Sequence, residues 1–293
     1  MRMNLAEIYK SNPFVLSFEL FPPKSDKGMD HLIENLRRLL EFHPHFVTCT
    51  YGAGGSTRKK TLDTLAHVQA LTDIPVASHV TCVGATVEDL KAYLAKAADQ
   101  GIENIVAIRG DPPEGEEEFR TMKGALSFGR DLVELIRREY PEFGIAVGGY
   151  PETHPEAGSP ETDLRYLKEK VDCGADVVIT QLFYNNDDFL RFRDCCTSKG
   201  ICVPIVPGLL PVTNFNQVKR IASLCGARLP EDFLNALENC GDDTAAQFAV
   251  GVEQATRQAG GLIAHGVAGI HFYVLNKSHA TSEVLGALEL PPK

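Results

Sequence analysis

Val15-Leu16-Ser17-Phe18-Glu19-Leu20 reads as a β-strand with two unlike faces. Successive side chains alternate across a strand, so Leu16, Phe18 and Leu20 share a side suited to lie under helices, and Ser17 and Glu19 share the other. The same split recurs along the chain. In 46–51, Val47 and Cys49 oppose Thr48 and Thr50; in 76–82, Ala77, His79 and Thr81 share a face. In 105–109, Val106 and Ile108 oppose Ala107 and Arg109, with Asp111 following on the arginine's side. Tyr150 ends a strand at 145–150, Gln181 stands near the end of 177–183, and His271 and Tyr273 share a face of 270–275. A short run at 205–207 brings the strands to eight.

Amphipathic stretches separate these strands at 29–41, 59–71, 87–100, 129–139, 162–173, 187–198 and 214–223, with more helix at 231–238, 243–259 and 280–288. Eight strands, each followed by a helix, predict an α/β protein, a (β/α)8 TIM barrel, with extra helical material before the last strand. A doubly wound sheet is the alternative. The even spacing, without a composition shift or a Pro/Ser-rich linker, favours one closed barrel over residues 1–293.

Bulk properties narrow the function. The 293 residues are 44% hydrophobic and 23% charged, ordinary for a globular chain, and the formal charge of −10 is the wrong sign for a nucleic-acid surface. Met1 to Lys10 lacks the apolar core of a signal peptide, and no apolar run reaches membrane-spanning length, so a cytoplasmic protein is expected. The eight cysteines form no C-x-x-C pair, and packing is their expected role. No metal site is expected: His43-Pro44-His45 has no third ligand nearby, and H-E-x-x-H is absent. Gly52-Ala53-Gly54-Gly55 follows a strand, but the third glycine of a dinucleotide fingerprint is missing and no acidic residue ends the next strand.

The polar residues gather at the C-terminal strand ends, where barrel enzymes keep their sites. Each has a plain structural reading: Glu19 as a partner of Arg109, His79 as a satisfied core histidine, Asp111 as a turn residue before Pro112. Together they read as an active site, because burying each unpaired costs about 1–3 kcal/mol, and more for charges.

The strings Ser17-Phe18-Glu19-Leu20-Phe21-Pro22-Pro23, Thr50-Tyr51-Gly52-Ala53, His79-Val80-Thr81-Cys82, Ala107-Ile108-Arg109-Gly110-Asp111, 150–157 (YPETHPEA), 179–183 (ITQLF) and 271–276 (HFYVLN) occur in the order and spacing of methylenetetrahydrofolate reductases, which the chain resembles from end to end. The resemblance implies FAD bound without a Rossmann fold, with NADH or NADPH as co-substrate and 5,10-methylenetetrahydrofolate as the acceptor. Matching flavin-site positions are Tyr51, Ala53, His79, Arg109, Gly110, Asp111, Tyr150, His154, Ala157, Asp163 and Lys170, with Thr50 near the nicotinamide. Asp111 matches the aspartate near the flavin ring and is counted catalytic for its effect on reduction potential. Glu19 matches the general acid that protonates the leaving folate nitrogen, a role that calls for a raised pKa. Gln181 and Phe215 match residues of the shared folate and nicotinamide site. Lys277 stands where the family typically carries arginine facing the folate tail, keeping the charge without the bidentate fork. A homo-oligomer is implied, and S-adenosylmethionine regulation is not expected in a chain ending soon after the barrel. Two rivals stay open: a flavin-free barrel hydrolase using Glu19 and Asp111, and a non-catalytic FAD- or folate-binding barrel.

Overall fold

The computed structural model describes residues 3–51, 58–110 and 124–292. Among these, nine parallel strands run β1 (Val15–Leu20), β2 (Phe46–Cys49), β3 (Val76–Thr81), β4 (Asn104–Ile108), β5 (Gly144–Gly149), β6 (Val177–Thr180), β7 (Ile205–Val206), β8 (Gly208–Leu209) and β9 (Gly269–Tyr273). Their lateral order is β7-β6-β5-β4-β3-β2-β1-β9-β8. The two ends of that order are consecutive in the chain, joined by Pro207. Val206 pairs with β6 and Gly208 with β9, so β7 and β8 are halves of one stave and the sheet closes as an eight-stave barrel. Proline has no N–H to give to the ladder, which explains the break. The Pro207 carbonyl still accepts from His271 N (3.0 Å), and Gly208 N donates to Thr180 Oγ1 (3.0 Å).

Helices follow the strands: α2 (Asp26–Leu40), α3 (Arg58–Leu71), α4 (Val87–Asp99), α5 (Gly129–Glu139), α6 (Pro160–Asp172), α7 (Asn186–Ser198) and α11 (His279–Gly286). Three more, α8 (Phe215–Cys225), α9 (Glu231–Asn239) and α10 (Thr244–Ala264), fill the interval before β9, which is the extra helical material that the sequence predicts. Their starts are capped by short polar side chains: Ser25 accepts from Gly28 N, Thr86 from Asp89 N and Asn214 from Gln217 N. In α2 the buried Leu32, Leu36 and Leu39 recur at helical spacing and face the barrel. Gly251 in α10 lies against the Val212 carbonyl, where any side chain would collide.

Strand alternation separates two cores. Leu16, Phe18, Val47, Val80, Ile105 and Val147 pack outward into the layer beneath the helices. Val15, Phe46, Ala77, Val106, Ala146, Val177 and Val206 meet inside the barrel floor. The reading of 105–109 is reversed at this point: Val106 lies inside and Ala107 outside. Asn104, which opens β4 and accepts from Leu5 at the barrel floor, marks the inner face shared with Val106, whereas Arg109, from which the opposite face was read, lies beyond the end of the strand.

A helix absent from the sequence reading closes the floor. α1 (Leu5–Ser11) seats Leu5 and Ile8 in the inner core, with Leu5 N donating to Asn104 Oδ1 at 2.8 Å. Gly144 admits this approach, since a methyl there would overlap Asn104 Oδ1 and Leu5 N. With α1 packed against the floor, the C-terminal strand ends are left for a site.

Candidate active site

Glu19 occupies the inner face near the end of β1, with 7% of its surface exposed. His79 Nε2, from β3, lies 3.2 Å from Glu19 Oε2, and His271 Nε2, from the adjoining β9, lies 3.7 Å from the same oxygen. The other nitrogen of His271 is 2.8 Å from Ser17 Oγ, its register partner across β1 and β9, which fixes the ring. Tyr273 completes the wall, its hydroxyl donating to the Thr180 carbonyl at 2.7 Å.

Burial is the largest influence on Glu19 and acts to raise its pKa, but the two imidazoles facing it, His79 above all, outweigh it and hold the carboxyl at about 2. His271 is pushed down, chiefly by burial. The raised carboxyl that a general acid calls for is therefore not the resting state of Glu19. Alternation placed His79 and His271 on the inner face, but their convergence on one carboxylate depends on barrel closure, which no local pattern carries.

The positions that the resemblance matches to a flavin site lie largely beyond β4 and β5. Lys170, partly buried on α6, donates from Nζ to the Gly148 carbonyl at 2.6 Å. Burial depresses it from 10.5 to about 8, only partly opposed by Asp163. Burial likewise raises Asp163, whose Oδ2 accepts from His154 N at 2.9 Å, and lowers His154. The Tyr150 and His154 rings meet edge to face at 4.5 Å, and Ala157 is buried beside them. Arg109 forms a bidentate pair with Glu156 (2.6 and 2.9 Å), and Gly110 adopts φ 88° with the Thr81 side chain close behind it. Thr50 follows β2, its backbone N donating to Leu20 O (2.9 Å). Tyr51 is not brought to the mouth by its ring, which packs in the outer core edge-on to Tyr93 at 5.4 Å. Ala53 and Asp111 lie outside the described residues.

On the opposite rim, Gln181 accepts from Leu182 N through its side-chain oxygen (2.8 Å), and Phe215 opens α8 with its ring beneath Lys219 Nζ. Lys277 is exposed and lines a cleft with Asn214, Gln217 and Tyr273. Leu275 and Asn276, at φ 49° and 56°, are consecutive left-handed residues. The Asn276 amide offsets that cost by exchanging two 2.8 Å hydrogen bonds with the Phe21 backbone, extending the β1–β9 ladder through a side chain. This pairing was not foreseen, although an Asn just past a strand end is its recognisable signal.

Among the described residues, the buried Thr48 and Thr81 hydroxyls on the inner face have no hydrogen-bond partner. Unmet groups at a barrel mouth suit a bound polar ligand, since leaving them bare costs about 1–3 kcal/mol each. Among the described residues, no group is arranged to hold a metal, no helix is long and apolar enough to cross a membrane, and all eight cysteines are free.

Known proteins place the site in context. The barrel resembles a protein from Clostridium thermocellum that binds two copies of 5-methyl-5,6,7,8-tetrahydrofolic acid, with a TM-score of 0.63 at 16% identity over 96% of this chain and 95% of that one. It also resembles an oxaloacetate acetylhydrolase (TM-score 0.52, 11% identity, 95% of this chain and 80% of that one). At such identities the likeness is one of fold. Methylenetetrahydrofolate reductase (NADH) 1 from Arabidopsis thaliana is 39% identical over 94% of this chain, which spans about half (48%) of the plant protein. The 5,10-methylenetetrahydrofolate reductase of Escherichia coli K12 is 36% identical over 100% of this chain and 96% of its own length. The methylenetetrahydrofolate reductase family model matches residues 4–289, and on that span and those identities the chain belongs to the methylenetetrahydrofolate reductase family.

Proposed function

We propose that the protein reduces 5,10-methylenetetrahydrofolate to 5-methyltetrahydrofolate, drawing hydride from NADH by way of FAD held at the barrel mouth. The observation that carries this reading is Glu19, a buried carboxylate between two imidazoles towards the C-terminal end of the barrel, on a chain matched by reductases over almost its whole length. The plant relatives whose names specify NADH favour that donor.

The residues present fit the flavin. Arg109, His154 and Lys170 offer cationic or hydrogen-bonding groups for the pyrophosphate and ribose, with Asp163 holding the His154 backbone in place. Gly110, at φ 88°, lets the backbone come close, and the Thr48 and Thr81 hydroxyls supply unspent donors. Thr50, Tyr51, Ala53, Asp111, Tyr150 and Ala157 belong to the same proposed set, Tyr51 through its backbone. FAD, when bound, supplies a two-electron carrier able to accept hydride from the nicotinamide and return it to the folate carbon.

The protein's own share is the proton and the fit. The leaving folate nitrogen needs a proton, which the Glu19–His79–His271 cluster supplies as a unit. Glu19 is ionised at rest, but burial already acts to raise it, and a pterin covering the mouth adds to burial. The bound complex is then where the carboxyl takes up and delivers its proton. Gln181 orients the pterin, Phe215 packs against it, and Lys277 meets the acidic tail as a single point charge. A hydrolase reading asks for a second carboxylate, whereas among the described residues the ion-pair partners of Glu19 are the two imidazoles.

Glu19→Gln is the test. Reduction of the flavin by NADH continues and transfer to methylenetetrahydrofolate falls by about 10²–10⁴-fold. Undiminished folate reduction by this variant would remove Glu19 from the mechanism.

A further inference from the structure

The loop after β5 turns sharply at Thr153, a non-glycine residue at φ 75°, whose N–H donates to the Tyr150 carbonyl at 3.1 Å. Glu152, just before the turn, reaches the end of α8. That helix stops at Gly226 in the left-handed conformation (φ 70°), and Arg228 follows two residues later. Arg228 donates its backbone N–H to both Glu152 oxygens (3.1 and 3.2 Å) and its Nε to Oε1 (2.8 Å). Its Nη2 continues to Asp188 Oδ1, at 3.0 Å, in the first turn of α7. One guanidinium thus joins the flavin-side loop, α7 and the end of α8.

This is not an ordinary surface pair. Surface pairs contribute little because both partners are solvated and mobile. Here the Glu152 and Asp188 side chains are only 10% and 6% exposed, with the arginine lying over them at 73%. Asp188 keeps a second partner in Arg191, but among the described residues the side-chain bonds of Glu152 run to Arg228. Without that cation, Glu152 regains water only by swinging its loop away from α8. The far end of α8 is anchored too: Phe215 N donates to Gln247 Oε1 at 2.9 Å. An 11-residue helix is a rod of about 16 Å, so a displacement at one end is passed to the other.

We propose that Arg228 is a positioning residue: it clamps α8 to the loop carrying Tyr150 and His154, keeping Phe215 in register with the cofactor side of the mouth. The naming of that side as the flavin's rests on the function proposed above; the clamp does not.

Amide hydrogen exchange in segments 150–157 and 215–219 tests the clamp, with FAD release and folate KM followed in the same proteins. Arg228 is exposed, so Arg228→Ala folds. It speeds exchange in both segments on the order of tenfold, the loss expected for a charge-assisted bond to a buried carboxylate. Glu152→Gln does the same, the double variant goes no further than either single one, and Arg228→Lys restores part of the protection. FAD release accelerates and folate KM rises several-fold while kcat stays within about twofold, the pattern of lost binding geometry. Faster exchange confined to 226–229, with 150–157 and 215–219 unchanged, would overturn the clamp. A wild-type protein that takes up no FAD would overturn the flavin reading, while the exchange data would still decide the clamp.

Discussion

His79→Ala exposes the energetics on which the proposed chemistry depends. At 3.2 Å from Glu19 Oε2, and with an effective dielectric near 20, a positive charge on His79 attracts the carboxylate by about 5 kcal/mol. The substitution removes that attraction but not the burial that opposes it. His271, at 3.7 Å, remains, and the carboxyl is free to take up a proton, so the net loss at pH 7 comes to about 3 kcal/mol. The sign with pH is distinctive. In the wild type Glu19 is held at about 2, below its ordinary 4.5, so its stabilising contribution is full above about 4.5 and disappears as pH falls through 2. In His79→Ala burial dominates and the carboxyl moves up, so the difference between variant and wild type is greatest at pH 7 and shrinks towards pH 5. Urea denaturation of both proteins across that range measures it, with Glu19→Gln/His79→Ala closing the cycle. A loss below about 1 kcal/mol that does not change with pH would refute the buried pair.

Three further outcomes follow from the geometry. Gly144→Ala forces α1 off the barrel floor through overlap with Asn104 and Leu5, and urea denaturation shows a loss of about 2–3 kcal/mol with the cofactor side little changed. Lys170 is depressed to about 8, so the folded protein releases that proton before the unfolded chain does. Stability of the flavin-free protein therefore rises between about pH 8 and 10.5, and Lys170→Met abolishes the rise when melting is followed across that window. Asn276→Ala removes both hydrogen bonds to Phe21 and leaves a left-handed residue unsupported, costing about 2 kcal/mol and raising the KM for folate ahead of any change in kcat.

The barrel was legible because its strands carry unlike faces. Where one face bears polar residues, as with Ser17 and Glu19 in β1 or His79 and Thr81 in β3, alternation oriented the strand correctly. In β4 the inner face is marked by Asn104 at its start, ahead of the run that was read, and the face inferred from Arg109 was inverted. α1 escaped notice because seven residues with only Leu5 and Ile8 buried make too short a pattern, although its capping box, Asn4 with Glu7, was there to be read. The split of the seventh stave was implicit in Pro207.

The site divides along the same line. Which residues face the mouth was mostly readable from local pattern and family strings, but their charge states were not. Glu19 is governed by two histidines from distant parts of the chain, and its pKa lies on the opposite side of normal from the expected one. The Tyr51 ring packs in the outer core because it continues the outward face of Val47 and Cys49, a consequence of the same alternation that identified the strand. The Arg228 clamp joins three connections far apart in sequence, and no single stretch announces it.

The most direct test is the visible absorption spectrum of the purified protein, followed anaerobically through addition of NADH and then of 5,10-methylenetetrahydrofolate. Flavin bands that bleach with NADH and return with the folate are the predicted result, since both half-reactions then take place at one barrel mouth. A colourless protein that takes up no added FAD, or a flavin that NADH reduces and the folate leaves reduced, would contradict it.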